Sequence, residues 1–150
     1  MVRTVPGVLT PRELDAWRGM LATHARVVAI LDAELQEAHD LSLVEYEVLM
    51  YLLDAPANRL RMSDLADELL VLSRSGLTRL VDRLERSGLV SREPSAEDGR
   101  GFYAELTSAG RNLVSAARRT HLAGVRQHFT SKLATGQLAS LAAAWRVVAE

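Results

Sequence analysis

Residues 73–93 read SRSGLTRLVDRLERSGLVSRE. On a repeat of about 3.6 residues, Leu77, Leu80, Val81 and Leu84 fall on one stripe, while Ser75, Thr78, Arg79, Asp82, Arg83 and Arg86 fall on the other. Ser73 stands just ahead of the first turn, where a hydroxyl can cap an orphan backbone amide. Five arginines (Arg74, Arg79, Arg83, Arg86 and Arg92) against Asp82 and Glu85 give residues 73–92 a local charge of +3, so the rest of this −1 chain sums to −4. The apolar stripe predicts a helix anchored by its leucines. The outward stripe offers guanidinium and hydroxyl groups at the spacing of groove edges and phosphates. A planar guanidinium can grip guanine in a bidentate fashion, and hydroxyls reach bases or phosphates. The pattern points to double-stranded DNA.

Working outward, Ser63 is placed to cap a short helix carrying Leu65, Ala66 and Leu69. Ahead of it, Ser42 and Glu45 have the spacing of a capping box, opening a helix with Tyr46, Leu49, Met50 and Leu53 inward until Asp54-Ala55-Pro56 ends it. Thr10-Pro11-Arg12-Glu13 is another such box with proline at the first helical position. It starts a long helix in which Trp17, Leu21, His24, Val28, Leu31 and Leu35 recur at three- and four-residue spacing to about residue 38. Downstream, LVSRE and FYAEL flank the turn-rich PSAEDGRG and predict a β-hairpin between residues 89 and 106. Thr107 restarts helix through Leu113, Ala116, Ala117 and Val125 to about residue 131, and a last helix spans about 135–148. Two short helices joined by a tight turn and followed by a hairpin form a winged helix-turn-helix. The expected fold is mainly α: a winged helix-turn-helix with a two-stranded β-wing, flanked by long N- and C-terminal dimerisation helices. No repeat or low-complexity linker divides the chain, so residues 1–150 are read as one domain. Residues 42–106 form its DNA-binding part, and residues 10–38 and 107–150 its dimerisation helices.

The stretch MSDLADELLVLSRSGLTRLVDRLERSGLVSREPSAEDGRGFYAELTSAG, residues 62–110, resembles the MarR (multiple antibiotic resistance regulator) type of transcriptional regulators. A GLTRLVDRLE helix, a GLVxRE strand, an acidic wing tip with Asp-x-Arg and LTxAG opening the next helix are specific in combination. The coarse helix order extends the likeness over nearly the whole chain. The resemblance implies that the helix matching residues 73–87 enters the major groove, that Arg100 enters the adjacent minor groove and that Asp98 steadies Arg100. Many members carry Asp-Arg-Arg at the wing. This chain has Asp98-Gly99-Arg100, so one auxiliary cation is missing there.

The wing roles also have a local argument. Residues two apart in an extended arm point to the same side, so Asp98 can reach Arg100, and arginine suits the strong negative potential of a narrow minor groove. The plain alternative is an exposed ion pair worth about 0–1 kcal/mol. Arg92, on the first wing strand, is read as a phosphate contact, as is Arg83. Ser73, Arg74, Ser75, Thr78 and Arg79 are read as contacts to bases and nearby phosphates. Asp82 and Arg86, four residues apart, can also pair along the helix.

The first helix is too long for a compact winged domain to cover. Its apolar stripe, and a C-terminal segment with Leu138, Leu141, Trp145 and Val148, call for a second copy of the chain. Two recognition helices about 34–36 Å apart then predict a pseudo-palindromic operator. An intramolecular helix bundle is the alternative. The resemblance further implies a small effector, often an aromatic or phenolic acid, for which Trp17, His24, Tyr46 and Met50 are the candidate contacts by position. Core roles for His24, Tyr46 and Met50 compete with that reading. The expected function is sequence-specific binding of double-stranded DNA as a transcriptional regulator, a repressor released by ligand. The rival is a winged-helix module that binds an acidic protein instead.

Composition narrows the other classes. A net charge of −1 excludes a uniformly basic coat, and zero cysteines exclude disulfides, thiolate metal sites and cysteine redox chemistry. That cysteine count also fits a reducing interior. MVRTVPGVLT has no apolar signal core, and Glu45 and Glu47 interrupt the best membrane-span candidate, so the chain is read as cytoplasmic. No HExxH, GxSxG, Walker loop or GxGxxG occurs, and no histidine pair has the i, i+4 spacing of helical zinc ligands. No enzyme activity, catalytic residue, metal or cofactor is expected. Arginine outnumbers lysine seventeen to one, which favours a coding bias for some of these cations. Aromatic residues are 5% of the chain and do not cluster, against single-strand or RNA stacking.

Overall fold

A threonine cap followed by proline opens the first helix. In the computed structural model, which describes residues 7–69, 72–95 and 101–149, the Thr10 hydroxyl accepts from the Glu13 amide at 3.3 Å, and the Glu13 carboxylate accepts from the Thr10 amide at 2.7 Å. This reciprocal box starts α1, Pro11–His39. The Ser42–Glu45 box does the same for α2, Leu43–Asp54. Ala55, held extended by the proline that follows it, stops that helix. The chain continues through β1 (Arg59–Arg61), α3 (Met62–Glu68), α4 (Arg74–Arg86), β2 (Val90–Pro94), β3 (Phe102–Leu106), α5 (Ser108–His128) and α6 (Thr135–Val148).

The expected hairpin is present. β2 and β3 pair antiparallel with Val90 opposite Leu106 and Arg92 opposite Ala104. The Ser95 amide donates to the Gly101 carbonyl at 2.8 Å and ties the ends of its described arms. A third strand, absent from the sequence reading, joins it: β1 lies on the other edge of β3, Arg59 opposite Glu105 and Arg61 opposite Tyr103, giving the order β1-β3-β2. The outer edge of β3 carries backbone groups that need partners, and the short extended segment ahead of α3 supplies them. This strand also corrects the expected cap of α3. The helix starts at Met62 directly from the strand, with Arg61 at the cap position and no side-chain cap bond; the Ser63 hydroxyl instead reaches the Asp64 carboxylate at 3.1 Å. α5 stops at His128, short of the expected residue 131, and a 3₁₀ turn, Thr130–Lys132, follows.

The chain divides into two compact units, residues 32–123 and residues 1–31 with 124–150. The core of the first is built from Leu35, Leu49, Leu52, Leu65, Val81, Leu106 and Val114, each essentially buried. Leu77, Leu80, Val81 and Leu84 of α4 all join it. At about 1.5–3 kcal/mol per buried aliphatic side chain, they hold α4 firmly against the fold. In the other unit Leu31 is buried, but several large apolar residues stay exposed: Trp17 and Leu21 of α1, and Trp145, Val147 and Val148 of α6. His24, expected on the apolar stripe, is exposed as well.

Candidate nucleic-acid interface

With its leucines inward, α4 turns Ser75, Thr78, Arg79, Arg83 and Arg86 to the surface. Ser73 caps it, its hydroxyl accepting from the Gly76 amide at 3.1 Å and lying 3.2 Å from the Ser75 hydroxyl. The Thr78 hydroxyl donates to the Arg74 carbonyl at 3.0 Å. Arg74 is 3.9 Å from Asp67, with both side chains more than three-quarters exposed; such a pair contributes about 0–1 kcal/mol. The N-terminal half of the helix therefore presents two serines, a threonine and two arginines with little to hold them back.

The flanks are tied. On one side Arg83 reaches across to α2, its Nη2 3.0 Å and its Nε 3.1 Å from the Glu45 carboxylate. Burial pushes the Glu45 carboxyl up, but the hydrogen bonds from Ser42 and the Arg83 charge outweigh it and leave the group below its ordinary value. Glu45 thus closes the α2 capping box and orients an arginine of α4 at once. On the other side Arg92 of β2 lies 2.6 Å from Asp82 and 3.9 Å from Glu85, and its Nη2 donates to the Thr78 carbonyl at 3.3 Å. Asp82 is consequently paired with the wing strand and not with Arg86, whose Nε instead donates to the Asp82 backbone carbonyl at 3.2 Å. Among the described residues Arg79 has no ion-pair partner.

Glu45 gives a pH prediction. A carboxyl whose folded pKa lies below its unfolded value of about 4.3 stabilises the fold above that value, and the contribution disappears as pH falls through the folded pKa. Glu45→Gln keeps the capping geometry and removes the charge. It is expected to cost about 1 kcal/mol at pH 7, with wild-type and variant denaturation curves converging as pH falls through the folded pKa of Glu45. A constant difference across that range would show that the charge is not what matters.

Beside the first turn of α4 lies a cleft of about 450 Å³ between α3 and the strands, lined by Arg61, Ser63, Arg74, Thr78, Arg92 and Phe102 among others, with no carboxylate among its described lining residues. Arg61 Nε donates to the Tyr103 hydroxyl at 3.0 Å, and the Arg59 and Arg61 guanidinium groups lie 4.8 and 5.5 Å from the Tyr103 ring centre. The sequence reading missed Arg59, Arg61 and Tyr103. The local signal for the two arginines is the alternation Arg-Leu-Arg at 59–61, and Tyr103 lies in the FYAEL strand.

The wing-tip candidates Asp98 and Arg100 lie outside the described residues. Of the effector candidates, Trp17 and His24 belong to one compact unit and Tyr46 and Met50 to the other. Trp17 and His24 are exposed on α1, Met50 is half-buried, and Tyr46 is buried with its ring 4.7 Å from that of His121. Burial lowers the His121 pKa and raises that of Tyr46. His39 Nε2 is 2.8 Å from the Thr120 hydroxyl. Among the described residues no cluster of His, Asp or Glu could hold a metal ion, and no helix is long and apolar enough to cross a membrane.

A profile of the MarR family matches residues 39–101. AbsC, a MarR family transcriptional regulator from Streptomyces coelicolor, is 35% identical to this chain, with a TM-score of 0.87 and 95% of each chain covered. The chain belongs to the MarR family. Sco3205, a MarR family regulator from the same organism solved in complex with DNA, is also 35% identical, with a TM-score of 0.88 over 97% of this chain and 91% of that one. YetL of Bacillus subtilis, an HTH-type transcriptional repressor, is 39% identical over 71 residues, 47% of this chain and 42% of that protein. The chain spans less than half the length of the curated relatives it matches. The MarR profile takes in α2 to β2 and so contains the tied helix, both of its anchors and the cleft apart from Phe102.

Proposed function

We propose that this MarR-family chain is a homodimeric regulator that binds a pseudo-palindromic site in double-stranded DNA, acting by binding and not by catalysis, in the cytoplasm. The observation that carries the reading is the outward cationic and hydroxylic face of α4 over three buried leucines and a buried valine, in a chain 35% identical to a regulator solved with DNA. In this reading residues 42–106 form the DNA-binding part. Ser73, Arg74, Ser75, Thr78 and Arg79 contact bases and adjoining phosphates in the major groove, Arg83 contacts phosphate, and Arg100, steadied by Asp98, enters the minor groove. Residues 10–38 and 107–150 form the dimer, which covers the exposed Trp17, Leu21 and Trp145. Repression is the sign supported by the likeness to YetL. Release by an aromatic or phenolic acid, with Trp17, His24, Tyr46 and Met50 as candidate contacts, is carried by the family.

Selection of bound duplexes from a random pool tests the reading in one experiment. The expected product is an inverted repeat with half-site centres about one helical turn, roughly 34–36 Å, apart. Its affinity should fall with salt at a log–log slope of about −0.9 per phosphate neutralised. Enrichment of no sequence, together with salt-insensitive binding, would favour the protein-binding module.

A further inference from the structure

Arg92 stands at the third position of β2, two residues after Val90, and so shares its side of the strand. Val90 is 2% exposed in the core. Arg92 continues that side past the edge of the core and lies along α4, with 23% of its side chain exposed. What it meets there is a single stripe of acceptors. Thr78, Asp82 and Glu85 are spaced i, i+4 and i+7, which places them one above another on one flank of a helix. The Arg92 guanidinium engages all three: the Asp82 carboxylate at 2.6 Å, the Thr78 carbonyl at 3.3 Å and the Glu85 carboxylate at 3.9 Å. The contact spans two turns of helix from one strand residue.

Charge makes a phosphate role for this arginine unfavourable. Arg92 with Asp82 and Glu85 sums to −1, so the three together offer a phosphate no net positive charge, and Arg92 could turn to one beside Arg61 and Arg74 only by leaving Asp82 uncompensated. Two elements that must enter neighbouring grooves at a fixed angle are instead joined by one planar cation whose fork holds direction as well as distance.

We infer that Arg92 is a positioning residue, a strap that fixes the wing strands to the recognition helix, with Asp82 as its principal anchor. The inference rests on the DNA-binding reading for its consequence, and on the contact geometry alone for its existence. If the strap matters, removing a negative charge from the DNA-facing side weakens DNA binding.

Fluorescence anisotropy with the selected duplex tests this on the wild type, Asp82→Asn, Arg92→Gln and the double variant. As a strap, each single change weakens binding about tenfold. The Arg92→Gln salt slope stays at the wild-type value, and the double variant is no weaker than either single one, since both break the same link. As a phosphate contact, Asp82→Asn tightens binding, Arg92→Gln loses about 0.9 from the slope for each protomer, and the effects add; that result overturns the strap. Hydrogen exchange without DNA gives an independent arm. Asp82→Asn should speed exchange of the Ser91, Glu93 and Tyr103 amides, which belong to the hydrogen-bonded pairs of β2 and β3, while leaving those of Val114 and Ala117 on α5 unchanged. Rates unchanged from the wild type at all five sites also overturn it. A wild-type protein that binds no duplex ends the DNA-binding reading, and the exchange arm then decides the strap by itself.

Discussion

Gly110→Ala is expected to lower the thermal unfolding midpoint by roughly 6–12 °C. Gly110 sits in the first turn of α5, where the Thr107 hydroxyl accepts from its amide at 3.0 Å. A methyl group placed on it would collide with the carbonyl oxygen of Leu89, and would lie 2.8 Å from Leu106 Cδ1 and 3.1 Å from the Leu89 carbonyl carbon. The leucine methyl can rotate away. The carbonyl cannot, because it accepts from the Thr107 amide at 3.1 Å and from the Thr107 hydroxyl at 3.1 Å, while that hydroxyl also donates to Gly88 at 2.7 Å. α5 must then lift from the segment leading into β2, at a cost of about 3 kcal/mol, the upper end for overpacking. One kcal/mol moves the midpoint of a chain this long by about 2–4 °C. Gly136→Ala is the control: an added Cβ there meets nothing within 4 Å, so its melt should match or exceed the wild type. A Gly110→Ala midpoint within 2 °C of the wild type would refute the close approach.

That glycine also shows where sequence and structure part. LTSAG at 106–110 marks a helix start through Thr107, and the reason its glycine is required lies in Leu89, remote in sequence. Local signals were legible wherever one turn or one face determines the outcome. The Thr10–Glu13 and Ser42–Glu45 boxes, the Ser73 cap and the leucine stripe of α4 each involve residues within a few positions of one another, and each stands where the pattern placed it. Non-local pairing was not legible. β1 is three residues long, too short for alternation to register, and it exists because β3 has an edge to offer. Ser63 has the chemistry of a cap but sits one residue inside a helix that leaves a strand without a break.

The same division runs through the site. Helical spacing pairs Asp82 with Arg86, yet the wing arginine ten positions on binds Asp82 at 2.6 Å. A guanidinium held by a sheet reaches that carboxylate along with two further acceptors, whereas a neighbour on the same helix gains only a few tenths of a kcal/mol from the pair. Arg83 is likewise claimed by Glu45 from another helix. Counting cations along α4 therefore overstates the charge available to a duplex, and the excess lies at Arg79, at Arg86 in the last turn and at the weakly paired Arg74.

Arg79→Ala is therefore expected to have the largest effect of any single change on the face of α4. Alanine favours helix as well as arginine does, and Arg79 is exposed, so stability should stay within about 0.5 kcal/mol of the wild type. A bidentate contact to guanine discriminates by about 1–3 kcal/mol. The proposed dimer has two such contacts, so affinity for the selected operator should fall by roughly 30-fold or more, with sequence preference relaxed at one position in each half-site. Arg79→Lys separates the two ways an arginine can bind DNA. Lysine keeps the charge and loses the planar fork. If Arg79 reads a base, the lysine variant should be nearly as impaired as alanine at the preferred base pair. If it only neutralises a phosphate, lysine should restore binding, and the alanine variant should weaken all duplexes alike with a salt slope about 0.9 shallower for each protomer. Wild-type affinity in both variants would mean that the exposed face of α4 is not the surface that meets the duplex.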